Sequence, residues 1–140
     1  MVQRIKEVMT PDPTALPAAA TVGEAARAMR DRDIGDVIVL QDDQTVCGIV
    51  TDRDLVVRAL AESEDPRAVK LADICSRDIT TLAPESSVTE AVKLMRDKAI
   101  RRVPVVENGK PVGIVSIGDL AVERDPDSAL ADISDAPANS

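Results

Sequence analysis

The chain writes one strand-to-helix corner twice: GIVTDRDL over residues 48–55 and GIVSIGDL over 113–120 agree at five of eight positions. The repetition is wider than the corner. A shift of 66 residues lays VGEAARAMRDRDI (22–34) on VTEAVKLMRDKAI (88–100), with seven of 13 positions identical. Beyond the next turn the offset falls to 65, because the first copy's turn is one residue longer. The copies span about residues 9–60 and 75–124, so any fold must be one supersecondary unit used twice.

Each copy reads as strand, helix, strand, strand, helix. PTAL (13–16) and ITTL (79–82) are the short extended stretches that come first. Thr21 and Ser87 are N-caps, each followed three residues later by a glutamate, Glu24 or Glu90, the spacing of a capping box. Val22, Ala25, Ala26 and Met29, and likewise Val88, Ala91, Val92 and Met95, mark one buried helix face. Asn108-Gly109 between β-branched runs predicts a tight hairpin, and the first copy carries a looser acidic turn at the same place. TDRDLVVRALAE and SIGDLAVER then open second helices.

One such unit has a small core and a three-stranded sheet whose apolar face needs cover. The expected fold is therefore α/β (α+β), with two pseudo-twofold related β-α-β-β-α repeats packed sheet to sheet. Residues 1–62 form the first repeat and 63–74 a connector, where Pro66 breaks the preceding helix. Residues 75–124 form the second repeat, and the acidic stretch 125–140, poor in bulky residues, is expected to fray.

Composition narrows the function. Seventeen basic against 25 acidic residues give a net charge of −8, which repels phosphate backbones, and no aromatic residue is present to stack a base. Nucleic acid is not an expected partner. The chain has no histidine, and its two cysteines, Cys47 and Cys75, lack metal-ligand spacing, so no metal site is expected. Cys47 lies in an apolar run and reads as a small buried hydrophobe. No run of about 18 apolar residues is present to cross a membrane, and no apolar stretch near the N-terminus resembles a signal peptide. Cytoplasmic localisation is the expectation.

Thr51 with Asp54, and Ser116 with Asp119, place a hydroxyl and a carboxylate three apart where a strand meets a helix. That spacing suits a capping box, worth about 1 kcal/mol. The same place favours anions through free N–H groups, and a carboxylate there can accept both hydrogen bonds of a vicinal diol. The two roles are compatible, and pseudo-twofold packing would turn both corners toward a shared cleft.

The repeated helix, the VPVV strand with its hairpin, and the GIV[ST]xxDL corner resemble the CBS domain. The pair together is similar to a Bateman module over about residues 9–124. In organisation it resembles stand-alone bacterial two-CBS proteins, the mycobacterial hypoxic-response type among them. The resemblance implies regulatory binding of AMP, ADP, ATP or S-adenosylmethionine, with no catalytic cofactor. Thr51 and Asp54, and Ser116 and Asp119, are then the ribose contacts, and Arg101 and Arg102 before the VP strand meet phosphates. Residues 14–16 and 80–82 would line the base.

The first copy departs from that pattern: Gly35 and Asp36 stand where Arg101 and Arg102 stand in the second, and Ile38 replaces Pro104. Members of the family pair the corner of one repeat with the VP segment of the other. The better site is thus expected to join Thr51 and Asp54 to Arg101 and Arg102, with Arg53 as an additional cation. Leu55, Val56, Ala59 and Leu60 give the first corner's helix an apolar surface that suits a homodimer. The resulting expectation is a non-enzymatic regulatory module acting on an unidentified client protein. A ligand-independent homodimeric scaffold is the alternative.

Overall fold

The computed structural model describes residues 3–76 and 79–124, with side-chain environments through residue 121. The expectation of a frayed tail, at 125–140, lies outside the described residues. In chain order the first elements are α1 (Ile5–Val8), β1 (Thr10–Pro11), β2 (Ala15–Pro17), α2 (Val22–Arg32), β3 (Asp36–Leu40) and β4 (Val46–Thr51). There follow α3 (Asp52–Asp54), a π-helical turn (Leu55–Leu60), a 3₁₀ turn (Pro66–Ala68) and α4 (Leu71–Ile74). The last are α5 (Val88–Lys98), β5 (Arg102–Glu107), β6 (Lys110–Ser116) and α6 (Ile117–Arg124).

The two long helices start and stop by the same local chemistry. Thr21 Oγ1 accepts the Glu24 N–H at 3.2 Å, and Ser87 Oγ accepts the Glu90 N–H at 3.1 Å. Neither glutamate reaches back to its N-cap N–H, so only the hydroxyl half of each expected capping box forms. Both helices end on a left-handed residue, Asp33 (φ 55°) and Ala99 (φ 54°). The next residue turns back: the Ile34 N–H donates to the Met29 carbonyl at 3.0 Å, and the Ile100 N–H to that of Met95 at 3.1 Å. Each isoleucine then packs on its core, closing a Schellman-type stop.

Each half of the structure has its own three-stranded sheet, ordered β2-β3-β4 and β1-β6-β5. The first strand of each hairpin is buried at its middle, with Val37–Val39 of β3 and Val103–Val105 of β5 inaccessible to solvent. In the first sheet β2 runs parallel to β3, and the Ile38 N–H donates to the Thr14 carbonyl at 2.9 Å. Pro104 holds the position of Ile38 in the second sheet and has no N–H to give. The corresponding strand shrinks there to a single bridge at Leu82, whose N–H reaches the Pro104 carbonyl at 3.0 Å.

The chain forms two compact units, and their boundaries differ from a contiguous division at residues 62 and 75. One unit is the continuous stretch Pro13–Ile79; the other joins the segment up to Asp12 to the chain from Thr80 onward. The segment ahead of each repeat, here called its leader, therefore serves the other repeat. In the first leader, Ile5 is fully buried in the second repeat's core, and β1 adds an edge strand to β6 through Thr10↔Ile114. In the second leader, Leu71 and Ile74 of α4 enter the first repeat's core, and Ser76 bridges Ile49 of β4. Leu71 and Ile74, expected to lie in a connector, are core.

This exchange explains one glycine in each corner. A methyl on Gly48 would collide with the Ser76 carbonyl oxygen, and one on Gly113 with the Met9 sulfur, 3.0 Å from the Thr10 carbonyl oxygen. Both glycines let a leader backbone cross close over the strand.

Candidate functional site

The two corners close in the same way. The Thr51 N–H donates to Asp54 Oδ2 at 2.9 Å, and the Asp54 N–H donates to Thr51 Oγ1 at 3.2 Å. The Ser116 N–H donates to Asp119 Oδ2 at 2.9 Å, and the Asp119 N–H to Ser116 Oγ at 3.1 Å. Unlike the helices at Thr21 and Ser87, each corner is thus a complete reciprocal box. Each is also tied to the residue just ahead of its partner strand, β3 or β5: the Asp52 N–H donates to the Gly35 carbonyl at 3.0 Å, and the Ile117 N–H to that of Arg101 at 2.8 Å.

The corners differ in how far their acids are engaged. Thr51 Oγ1 also donates to Asp54 Oδ2 at 3.1 Å, and Asp54 Oδ1 faces Arg58 Nε at 3.6 Å. Arg58 in turn donates to the Ile74 carbonyl at 3.2 Å, linking the corner acid to the end of α4. Sequence reasoning passed over Arg58, although acid and base four apart on one helix was a readable signal. The residue four beyond Asp119 is Glu123. Among the described residues Asp119 Oδ1 has no partner, and the Ser116 hydroxyl proton has no acceptor.

Strand register sets the charge beside each corner. Asp36 lies opposite Thr51, and Arg102 lies opposite Ser116. Arg101 and Arg102 are both exposed. Within its own unit, then, each corner hydroxyl residue has one of these charged residues as its cross-strand partner. Thr51, Arg53 and Asp54 belong to the continuous unit, and Arg101 and Arg102 to the other. Arg53 is exposed on α3, and its backbone N–H donates to Asp52 Oδ1 at 2.8 Å.

Apolar surface accompanies both corners. Val56, Val57 and Leu60 on the π-helical turn are 55, 44 and 61% exposed, whereas Leu55 packs on the core and Ala59 is fully buried. The exposed patch is thus narrower than the sequence predicted, because five-residue closure such as the Ala61 N–H to the Val56 carbonyl (3.0 Å) shifts the helix face. In the other unit a cavity of about 310 Å³ is lined by Val92, Met95, Ile100, Ile117, Leu120 and Ala121, with Arg96 beside them. Cys75 is buried, and Cys47 is half-buried against the core rather than within it. Among the described residues no three potential His, Cys, Asp or Glu ligands gather to hold a metal. No described helix is long and apolar enough to cross a membrane.

Comparison with known proteins bears on this geometry. The profile of the CBS domain matches residues 5–60 and 71–124. An uncharacterized Methanopyrus kandleri protein, MK0525, is 40% identical over 116 residues, 82% of this chain. The chain spans 57% of that relative's length. Hypoxic response protein 1 of Mycobacterium tuberculosis is 32% identical over 116 residues, covering 83% of this chain and 81% of that protein. A crystal structure of Hypoxic Response Protein I with two coordinated zinc ions superposes with a TM-score of 0.77 at 31% identity, covering 85% of this chain and 97% of that one. The CBS domain pair of protein MJ0100, crystallised with 5′-methylthioadenosine and S-adenosyl-L-methionine, has the same fold at 22% identity. Its TM-score is 0.80, over 91% of this chain and all of that one.

Proposed function

Because this chain belongs to the CBS-domain family, we propose that it is a non-enzymatic regulatory module binding an adenine nucleotide or another adenosyl ligand. The observation that carries the reading is the duplicated reciprocal corner. Each offers a carboxylate, a hydroxyl and a helix start, the donor and acceptor set that a ribose diol requires. In this reading Thr51 and Asp54 hold the ribose, and Arg101, Arg102 and Arg53 meet phosphates. The adenosyl ligands of the MJ0100 pair support the fold's suitability for such a molecule. Zinc, present in the mycobacterial structure, is not part of the reading, since this chain has no histidine.

Register favours a second reading at the level of the site. Arg102 lies across the ladder from Ser116, so phosphate and ribose contacts within one unit would make that corner the stronger. A third reading, a ligand-independent homodimeric scaffold, draws support from the exposed Val56, Val57 and Leu60. Thermal unfolding with AMP, ADP, ATP and S-adenosylmethionine separates binding from scaffolding. A ligand at 100 times its Kd adds about 2.7 kcal/mol, several degrees for a domain of this size. No shift with any of the four would leave the scaffold. Repeated nucleotide hydrolysis that follows the protein through a sizing column would overturn the non-enzymatic reading.

A further inference from the structure

One guanidinium joins the first corner to the second leader, all within the continuous unit Pro13–Ile79. Asp54 Oδ2 already accepts from the Thr51 N–H and the Thr51 hydroxyl. Asp54 Oδ1 faces Arg58 Nε at 3.6 Å, near enough for charge attraction and too far for a hydrogen bond. The cation therefore orients the carboxylate without taking up the lone pairs of Oδ1. From its other end the same side chain donates to the carbonyl of Ile74, the last residue of α4, at 3.2 Å. So short a helix leaves its final carbonyls without intrahelical donors, and this one is supplied from outside. Leu55 packs on the core and Ala59 is buried in it, so the backbone beside both Asp54 and Arg58 is held. The second copy has Glu123 at the matching place in sequence, an acid where the link needs a base.

We propose that Arg58 is a positioning residue that couples the first corner to the α4 leader, so that a ligand held at Asp54 also fastens α4. In naming a ligand the proposal rests on the adenosyl reading above; the link between Asp54 and α4 needs none. One hydroxyl of a ribose diol donates to Oδ1, which Arg58 has already turned for it. Oδ2 is engaged by its two donors, so the other hydroxyl turns to Thr51 Oγ1, which accepts the Asp54 N–H and keeps a second lone pair. A carboxylate fixed in this way fixes Arg58 against it, and Arg58 stays on the Ile74 carbonyl. By reciprocity, loosening α4 weakens the ligand by the same factor. The ion pair is half-exposed on its arginine side and contributes little by itself. Its effect comes from one guanidinium shared by two acceptors, each orienting it for the other. What α4 carries into the core is Leu71 and Ile74, so the ligand's hold reaches the packing of the unit.

The test uses the full chain with Asp54→Asn, with Arg58→Met and with both changes. Without ligand, amide hydrogen exchange is followed at Cys75 and Ser76, which donate to the Leu71 and Ile49 carbonyls. Each single change should quicken these amides about threefold, and the double variant should be no faster than Arg58→Met alone. The amides of Val37 and Val50, paired in the β3–β4 ladder, should be unchanged. Additive effects, no effect, or equal quickening at Val37 and Val50 overturn the link. AMP, ATP and S-adenosylmethionine are then titrated. Arg58→Met should bind about fivefold more weakly than the wild type, and Arg58→Lys, which restores the charge, should regain most of that loss. Saturating AMP should slow Cys75 and Ser76 about threefold in the wild type and leave them unchanged in Arg58→Met. A ligand that binds both proteins equally, or slows α4 in both, overturns the coupling. If none of the three binds the wild type, the adenosyl reading fails and the coupling to a ligand falls with it, while the ligand-free cycle still decides the link.

Discussion

Arg102 lies opposite Ser116 in the β5–β6 ladder, placing a cation beside one corner hydroxyl, where the other copy sets Asp36 opposite Thr51. The two corners share the reciprocal pair of backbone bonds but carry opposite charge across the strand ladder. A ligand carrying phosphate must therefore distinguish them.

Replacing each corner acid by alanine reads that distinction. If ribose on Asp54 is joined to phosphates on Arg101 and Arg102, Asp54→Ala should cost a charge-assisted contact of about 1.5–3 kcal/mol, or roughly tenfold to a hundredfold in affinity. Asp119→Ala should disturb the tighter binding event far less. Both variants lose a corner cap of about 1 kcal/mol, a shared stability effect that serves as control. Calorimetric titration of AMP and ATP checks this. The reverse order would assign the site to Ser116 and Asp119, and unchanged binding in both would remove the ribose role from these acids.

Gly48→Ala should destabilise the chain by about 2–3 kcal/mol, since a methyl there meets backbone, the Ser76 carbonyl. At Gly113 the first obstacle is the flexible Met9 side chain, so Gly113→Ala should cost about 1–2 kcal/mol. Urea midpoints of the two variants decide it. Equal costs would mean that the leaders give way equally.

Ala99→Gly should stabilise by about 0.5–1 kcal/mol, because Ala99 is held in the left-handed region at φ 54°. Thermal unfolding should show a rise of a few degrees. A fall would show that the methyl of Ala99 contributes more by packing than its backbone costs.

The patch of Val56, Val57 and Leu60 should bury itself in a homodimer, as the sequence led us to expect of this helix. Sedimentation at micromolar concentration should give twice 14.9 kDa, and Leu60→Glu should return the chain to monomer. A wild-type monomer, or a Leu60→Glu dimer of unchanged strength, counts against this surface.

The corners were legible because their chemistry is local: a hydroxyl and an acid three apart define a box whatever surrounds them. The leaders were harder to see. RIKEVMTP (4–11) and KLADICSR (70–77) share no identical position and only a spacing of apolar residues, so a search by identity stops short of them. Their exchange was not legible at all, because local pattern specifies a helix or a strand and not which sheet edge receives it. Arg58 was missed for a different reason: its role depends on Ile74, a residue brought near by that same exchange. The shortened strand at Leu82 follows from Pro104, a residue noticed for its motif rather than for its missing N–H.

The exchange also orders events during synthesis. Pro13–Ile79 is continuous, so once its last residue clears the ribosome nothing further is needed to complete its core and its sheet. The first leader has no such early partner: Thr10 must wait for Ile114, across a loop that contains the whole of the other unit. This leader precedes the whole of that unit in sequence yet finds its place after it, and until the second repeat is made Ile5 is an unattached hydrophobe that a chaperone or a neighbouring nascent chain can reach.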